Sequence, residues 1–340
     1  MQIVDAHLDL SYNAVIRGRD VTRPAVEQPA VDNEIATVGL PDIRKAGISL
    51  ICATIFCSPA RYKKPTGYRT AEEAHDQALK QWDWYQHQID NGELRLVDSQ
   101  QALPGCESPA APPRESSKAI PFVLLLEGAD ALRSADDVHV WYQRGLRIVG
   151  LAWGKTRMAG GTGSPGPLTD EGRAIVRAMD QLHMIHDTSH LADDSFWQLL
   201  DLTDGPLMAS HSNCRHIVPT DRQLSDDMIK AIARRNGVIG VNLYDEFLLA
   251  PDQYKKRPCT LDDLIAHMKR ICDLAGSANH LGLGTDMDGG VGRDDIPHEL
   301  TTIADLPRVA DALSAANFCN EDIFNIMGKN WLTFFRRHLP

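Results

Sequence analysis

Six side chains in this sequence are of types that can bind metal ions or move protons: His7, Asp9, Glu127, His190, His211 and Asp286. Each lies at or just past the end of a short apolar run. Ile3-Val4-Asp5-Ala6 leads to His7-Leu8-Asp9, and residues i and i+2 of a strand project to the same side, so both side chains can face one ion. Ile120 to Leu126 ends on Glu127; a buried carboxylate there must find a metal ion, a proton or an arginine. Met184 to Ser189 ends on His190, and Leu207 to Ser210 ends on His211, which gives two imidazoles of the kind zinc prefers. Leu281 to Thr285 ends on Asp286, in a glycine-flanked segment where the backbone can approach a ligand closely. One such residue at a strand end means little, whereas this set converging on one place describes a metal centre.

Convergence requires a scaffold whose strand ends meet. The apolar runs alternate with amphipathic stretches, the pattern of βα units around a parallel sheet. Strands are read at about 2–7, 49–56, 120–127, 147–152, 184–189, 207–211, 237–243 and 280–285. Helices are read near 71–91, 134–144, 169–183, 193–201, 225–236, 260–275, 302–316 and 320–336. Ser225 and Thr260 serve as N-caps ahead of acidic first turns. Eight units predict an α/β fold, a (β/α)8 TIM-type barrel whose site lies where the strands end. The 340 residues are read as one domain, with loop insertions near 104–118 and 158–168. The first insertion reads as a mobile surface loop. The second, with four glycines, reads as a flexible segment or a border of the substrate pocket.

Composition narrows the function. A net charge of −11 leaves no basic stripe for phosphates, so no nucleic-acid partner is expected. No run approaches ~18 apolar residues, so no membrane span is expected. The seven cysteines contain no C-x-x-C and read as mostly buried thiols of a reducing compartment, and a cytoplasmic location is expected. His186 is placed to support His190, and Asp187 either orients a ligand histidine or is satisfied in the core. His75, His87, His139, His267 and His298 are read as solvent-exposed.

Together these motifs resemble the membrane (renal) dipeptidase family, the M19 metallopeptidases of the amidohydrolase-like barrels. The matching segments are D-x-H-x-D (Asp5, His7, Asp9), E-G (Glu127-Gly128), D-x-S-H (Asp187 to His190), S-H-S-N (Ser210 to Asn213), G-x-D-x-D-G (Gly284 to Gly289) and a closing G-x-N (Gly328 to Asn330). The resemblance implies two Zn2+ per chain, one held by His7, Asp9 and Glu127, the other by Glu127, His190 and His211. It also implies hydrolysis of dipeptides or dipeptide-like amides through a metal-bridging hydroxide, with Asp286 moving the proton. Arg222 falls where the family grips the substrate carboxylate, although its surroundings, Pro219 to Gln223, match the family's H-x-R-N only in part. Tyr244 corresponds to a substrate-contacting tyrosine, and a homodimer is implied.

The sequence departs from the family after the fourth strand. Where the family has L-T-H, this chain has Leu151-Ala152-Trp153. Trp153 is read either as a substrate-contacting wall of the pocket or as a catalytic donor, its indole N–H replacing the imidazole. A metal-dependent amidohydrolase acting on another amide, a lactam or an N-acyl amino acid is therefore the alternative. A metal-binding barrel without turnover is a third reading, and the intact Asp286 argues against it.

Overall fold

Strands buried on both faces read as continuous apolar runs, because helices cover one side and the barrel interior the other. In the computed structural model, which describes residues 1–60, 67–105 and 118–340, those runs form a closed parallel ring. Its strands are β1 (Ile3–Leu8), β2 (Ile48–Phe56), β4 (Ile120–Glu127), β5 (Leu146–Gly150), β6 (Ile185–Asp187), β7 (Leu207–Ala209), β8 (Val238–Val241) and β9 (Leu281–Leu283). The order runs β2-β1-β9-β8-β7-β6-β5-β4, and β4 pairs back with β2 to close it. This is the expected (β/α)8 barrel.

A ninth strand, β3 (Leu94–Leu96), was not anticipated. It pairs with the start of β4, Leu94 opposite Ile120, along the stretch that β5 does not reach. Three residues are too few to give a periodic signal. The short helices Leu10–Val15, Leu40–Lys45 and Asp245–Leu248 escaped for the same reason. Of the insertion read at 104–118, residues 106–117 lie outside the described residues.

Alternate residues along β4 divide between two cores. Phe122, Leu124 and Leu126 pack against the helices, while Val123 and Leu125 fill the interior with Val4, Ala6, Leu50 and Ile148. Trp331, Phe334 and Phe335 of the helix Asn330–His338 join the interior cluster from the end away from Glu127. Trp331 Nε1 donates to Leu283 O at 3.0 Å, and Asn330 Nδ2 donates to Ala278 O and Leu281 O at 2.7 and 2.8 Å. The closing G-x-N segment thus fixes the barrel floor. No helix among the described residues is long and apolar enough to cross a membrane.

Two histidines read as exposed are buried. His75, 7% exposed, directs Nδ1 at Ala131 O. His267, 0% exposed, accepts from Cys214 N at Nδ1 (3.0 Å) and donates from Nε2 to Leu248 O (3.1 Å). Its helix Leu261–Ala275 also buries Leu264 and Ile271, three residues before it and four after it on the same face.

Burial pushes His267 down from 6.5 to about 4. The unfolded chain therefore binds a proton between those values that the folded protein refuses. This contribution is present above pH 6.5 and lost as pH falls toward 4. Its full size is on the order of 3 kcal/mol. Denaturation of His267→Gln across that window should show a shallower loss of stability than the parent, and equal slopes would remove His267 from the acid response.

Candidate metal centre

His7 reaches the barrel mouth through an irregularity. Val4 and Ala6 face the interior, so regular alternation would turn His7 outward. The register against β2 slips between Asp5 and Leu8, and a slip of this kind re-aims a side chain. Asp9 lies one residue beyond β1, as the N-cap of helix Leu10–Val15, so its proximity to His7 does not come from strand alternation. Asp5 sits beneath, its carboxylate accepting from Thr285 N and Thr285 Oγ1 at 2.9 and 2.6 Å, which ties β1 to the end of β9. His190 and Asp286 both hold left-handed backbone, φ 66° and 58°, a conformation that costs of order 1–3 kcal/mol outside glycine.

All six residues meet. Glu127 Oε1 lies 3.2 Å from His190 Nε2 and 3.4 Å from His211 Nε2, while Oε2 lies 3.7 Å from His7 Nε2. His7 Nε2 is also 4.0 Å from Asp9 Oδ1 and 3.9 Å from Asp286 Oδ1. Three groups have ligand atoms within 4.8 Å of one another: His7–Asp9–Glu127, Glu127–His190–His211 and His7–His211–Asp286. Glu127 is common to the first two.

The electrostatics are those of a site short of positive charge. Burial, with the charges of Asp9 and Glu127, pushes the Asp286 carboxyl up to about 8. Burial and the Glu127 charge likewise raise Asp9 to about 6. Burial alone would lower His7, but Glu127, Asp286 and Asp9 outweigh it and raise the ring to about 10. Burial, then the charges of Arg222 and His7, lower His190 to about 4; burial, then His7 and Arg222, hold His211 well below its ordinary value, so both present neutral nitrogen. Burial opposes ionisation of Glu127 too, yet the His7 charge and the close imidazoles of His190 and His211 hold it well below the usual carboxylate range.

The donor set fits divalent ions. His7 Nε2 is buried with no hydrogen-bond partner. The Nε2 atoms of His190 and His211 lie only 3.0 Å apart, both against the same carboxylate oxygen. Imidazole nitrogen with carboxylate oxygen, and no thiolate, is a set that suits zinc.

A cavity of about 420 Å3 opens over the cluster. Arg222 lines it, 4% exposed, giving one hydrogen bond to Ser212 Oγ (3.1 Å) and one to His211 O (2.6 Å), while Nε has no partner. Trp153 and Phe56 line it too, ring centroids 5.3 Å apart, and the Tyr12 ring lies tilted against Phe56 at 5.0 Å. Tyr244 also lines the cavity, its hydroxyl donating to Glu246 at 2.8 Å.

Other readings need correction. His186 faces away, its Nε2 2.8 Å from Asp180 Oδ1, and does not support His190. The atom beside His190 Nδ1 is instead Thr162 Oγ1 (3.0 Å), from the glycine-rich segment. That segment borders the cavity through Thr162 and is bonded to its surroundings: Thr162 N donates to Trp153 O (3.2 Å) and Gly163 N to Asp221 Oδ2 (2.7 Å). Asn242 was missed, although an amide inside an apolar run was a visible signal; its Nδ2 donates to Asp286 Oδ2 at 2.9 Å. The glycines around Asp286 make room within the protein: a Cβ on Gly284 would lie 1.7 Å from Ser210 O, and one on Gly289 would lie 1.9 Å from Asp286 Oδ1.

The membrane dipeptidase model, peptidase family M19, matches residues 1–338. The chain belongs to that family. A Klebsiella pneumoniae protein named for its place in the pqqA 5′ region is 30% identical over 251 residues, 71% of this chain and 88% of its own. The dipeptidase tcpJ of Claviceps purpurea is 27% identical over 223 residues, 62% of this chain. Against tcpJ and three other relatives the alignment spans between 50% and 60% of their own length. Among solved structures, a Rhodobacter sphaeroides metallopeptidase liganded with a phosphinate mimic of L-Ala-D-Ala superposes with a TM-score of 0.83 at 22% identity, covering 99% of both chains. That likeness carries the fold.

The glycine-rich segment yields a paired test. A Cβ on Gly161 would lie 2.3 Å from Gly154 O, whereas one on Gly166 meets nothing nearer than Gly160 Cα at 3.8 Å. Gly161→Ala should cost about 1–3 kcal/mol by overpacking. Gly166→Ala should change little. Denaturant titration of the two variants checks the ranking, and equal stabilities would contradict the close approach.

Proposed function

We propose that this chain is a binuclear zinc dipeptidase that hydrolyses dipeptides or dipeptide-like amides. The observation that carries the reading is one buried carboxylate, Glu127, shared between two groups of candidate ligands beneath a cavity that also holds a buried arginine. His7, Asp9 and Glu127 would hold one ion, and Glu127, His190 and His211 the other. When bound, zinc supplies a Lewis acid for the scissile carbonyl and lowers the pKa of water toward ~7.

The chain's own residues do the rest. Arg222 is planar and permanently charged, and it receives the carboxylate at the end of the substrate and so measures its length. Asp286 has Oδ2 engaged by Asn242, which leaves Oδ1 to take a proton from the attacking water. The same proton then passes to the departing amine nitrogen, so the carboxylate is restored. Thr162 and the Trp153 wall border the space above His190.

Trp153 favours the second reading. An indole offers one neutral N–H where the family has an imidazole, which weakens oxyanion stabilisation, and the Tyr12–Phe56–Trp153 face accepts bulky apolar groups. An N-acyl amino acid or a lactam would then replace the dipeptide, with the same metal ligands and the same use of Arg222.

Zinc content measured beside a panel of dipeptides, N-acyl amino acids and a β-lactam tests both readings. Glu127→Gln should lose zinc and all activity, since it removes the charge both ions share. His190→Ala or His211→Ala should reduce zinc from about two per chain toward one. Full activity in Glu127→Gln would end the two-ion reading.

Chemistry and substrate grip should separate. Asp286→Asn should keep its zinc while kcat falls by ~10²-fold or more, the scale of a lost general acid–base. Arg222→Met should raise KM for substrates with a free carboxylate and leave amidated analogues little changed. Equal losses on both substrate types would show that Arg222 only supports the His211 backbone.

A further inference from the structure

His7 and His211 enter the cluster from different strands and, although both also stand with Asp286 in one group, the two-ion reading assigns them to different ions, yet their Nδ1 atoms meet the same oxygen. Ser210 Oγ lies 3.2 Å from His7 Nδ1 and 2.7 Å from His211 Nδ1. It also lies 2.5 Å from Asp187 Oδ2 and 3.4 Å from Ser189 Oγ. The other Asp187 oxygen accepts from Ser189 N at 3.0 Å and Ser210 N at 2.8 Å. Each of these five residues is no more than 2% exposed, so water does not compete.

A hydroxyl has one hydrogen and two lone pairs. The charged carboxylate at 2.5 Å outcompetes the serine oxygen at 3.4 Å for that hydrogen. Both lone pairs of Ser210 then face imidazoles, and each ring can satisfy the contact only by donating Nδ1–H. With Nδ1 protonated, the free lone pair of each ring is on Nε2, the atom directed at Glu127.

We propose that Ser210 is a positioning residue that sets the tautomer of both histidines at once and relays one carboxylate, Asp187, to both ion positions. Partners of this kind raise ligand basicity and fix ring orientation, and their loss costs roughly 10–100-fold in metal affinity. His190 is served separately by Thr162, 3.0 Å from its Nδ1. The two hydroxyls therefore differ in reach: Ser210 acts on two ligand groups, Thr162 on one.

This inference rests on the two-ion reading, and zinc titration of the metal-stripped protein distinguishes them. Ser210→Ala should weaken both binding steps by roughly 10–100-fold, and Thr162→Val only one. In the zinc-loaded protein with 15N-labelled histidine, His7 and His211 should each show an Nδ1–H resonance, and Ser210→Ala should shift both together. An Nε2–H form at either ring, or unchanged affinity at either step in Ser210→Ala, overturns the role of Ser210 alone. If Ser210→Ala does not fold, the wild-type spectrum decides: two slowly exchanging Nδ1–H protons support the relay, and rapid exchange at either overturns it. A wild-type protein that takes up no zinc overturns the ion reading and this inference with it.

Discussion

Three carboxylates, those of Asp9, Glu127 and Asp286, are held around His7 Nε2 at the end of an apolar barrel, where their repulsion cannot be screened by water. Most of the local structure answers that repulsion. His7 is raised because it faces all three, and Asp286 because it is buried and stands beside the other two. Arg222 is buried nearby although burial lowers its own pKa. Thr54 Oγ1 donates to Asp9, and Asn242 to Asp286, so these two acids each have a neutral donor. A site arranged this way gains from cations more than from any rearrangement of its neutral neighbours.

The parts of the fold legible in the sequence are those in which burial leaves an uninterrupted mark. The eight ring strands are apolar runs because both faces are covered, and the residue ending a run lies at the barrel mouth by construction. His7, Glu127, His190, His211 and Asp286 could be found on that ground. Asp9 was found by an alternation rule, but its position comes from the turn that follows the strand. His267 was misplaced despite a readable sign, its spacing from Leu264 and Ile271 on the buried side of its helix. Ser210 and Thr162 were not legible as partners, because a hydrogen bond between residues 203 apart, such as Ser210 with His7, leaves no local pattern. β3 and the short helices left none either, being shorter than the periods that would reveal them.

The glycine-rich segment shows how composition can mislead. Glycines suggest a mobile loop, but here several of them let two stretches of backbone lie in contact. The result positions Thr162 against His190, so this segment belongs to the support of the imidazoles as much as to the boundary of the cavity.

The floor of the barrel sets the order in which the protein can be completed during synthesis. Asp5 finds Thr285 only after some 280 further residues have been made, and Trp331 and Phe335 seal the interior later still. Until β9 is made the ring cannot close, since β1 and β8 both lack the partner strand that joins them. His7 and Asp9 therefore leave the ribosome well ahead of Asp286, and they wait for it while the strands between are made.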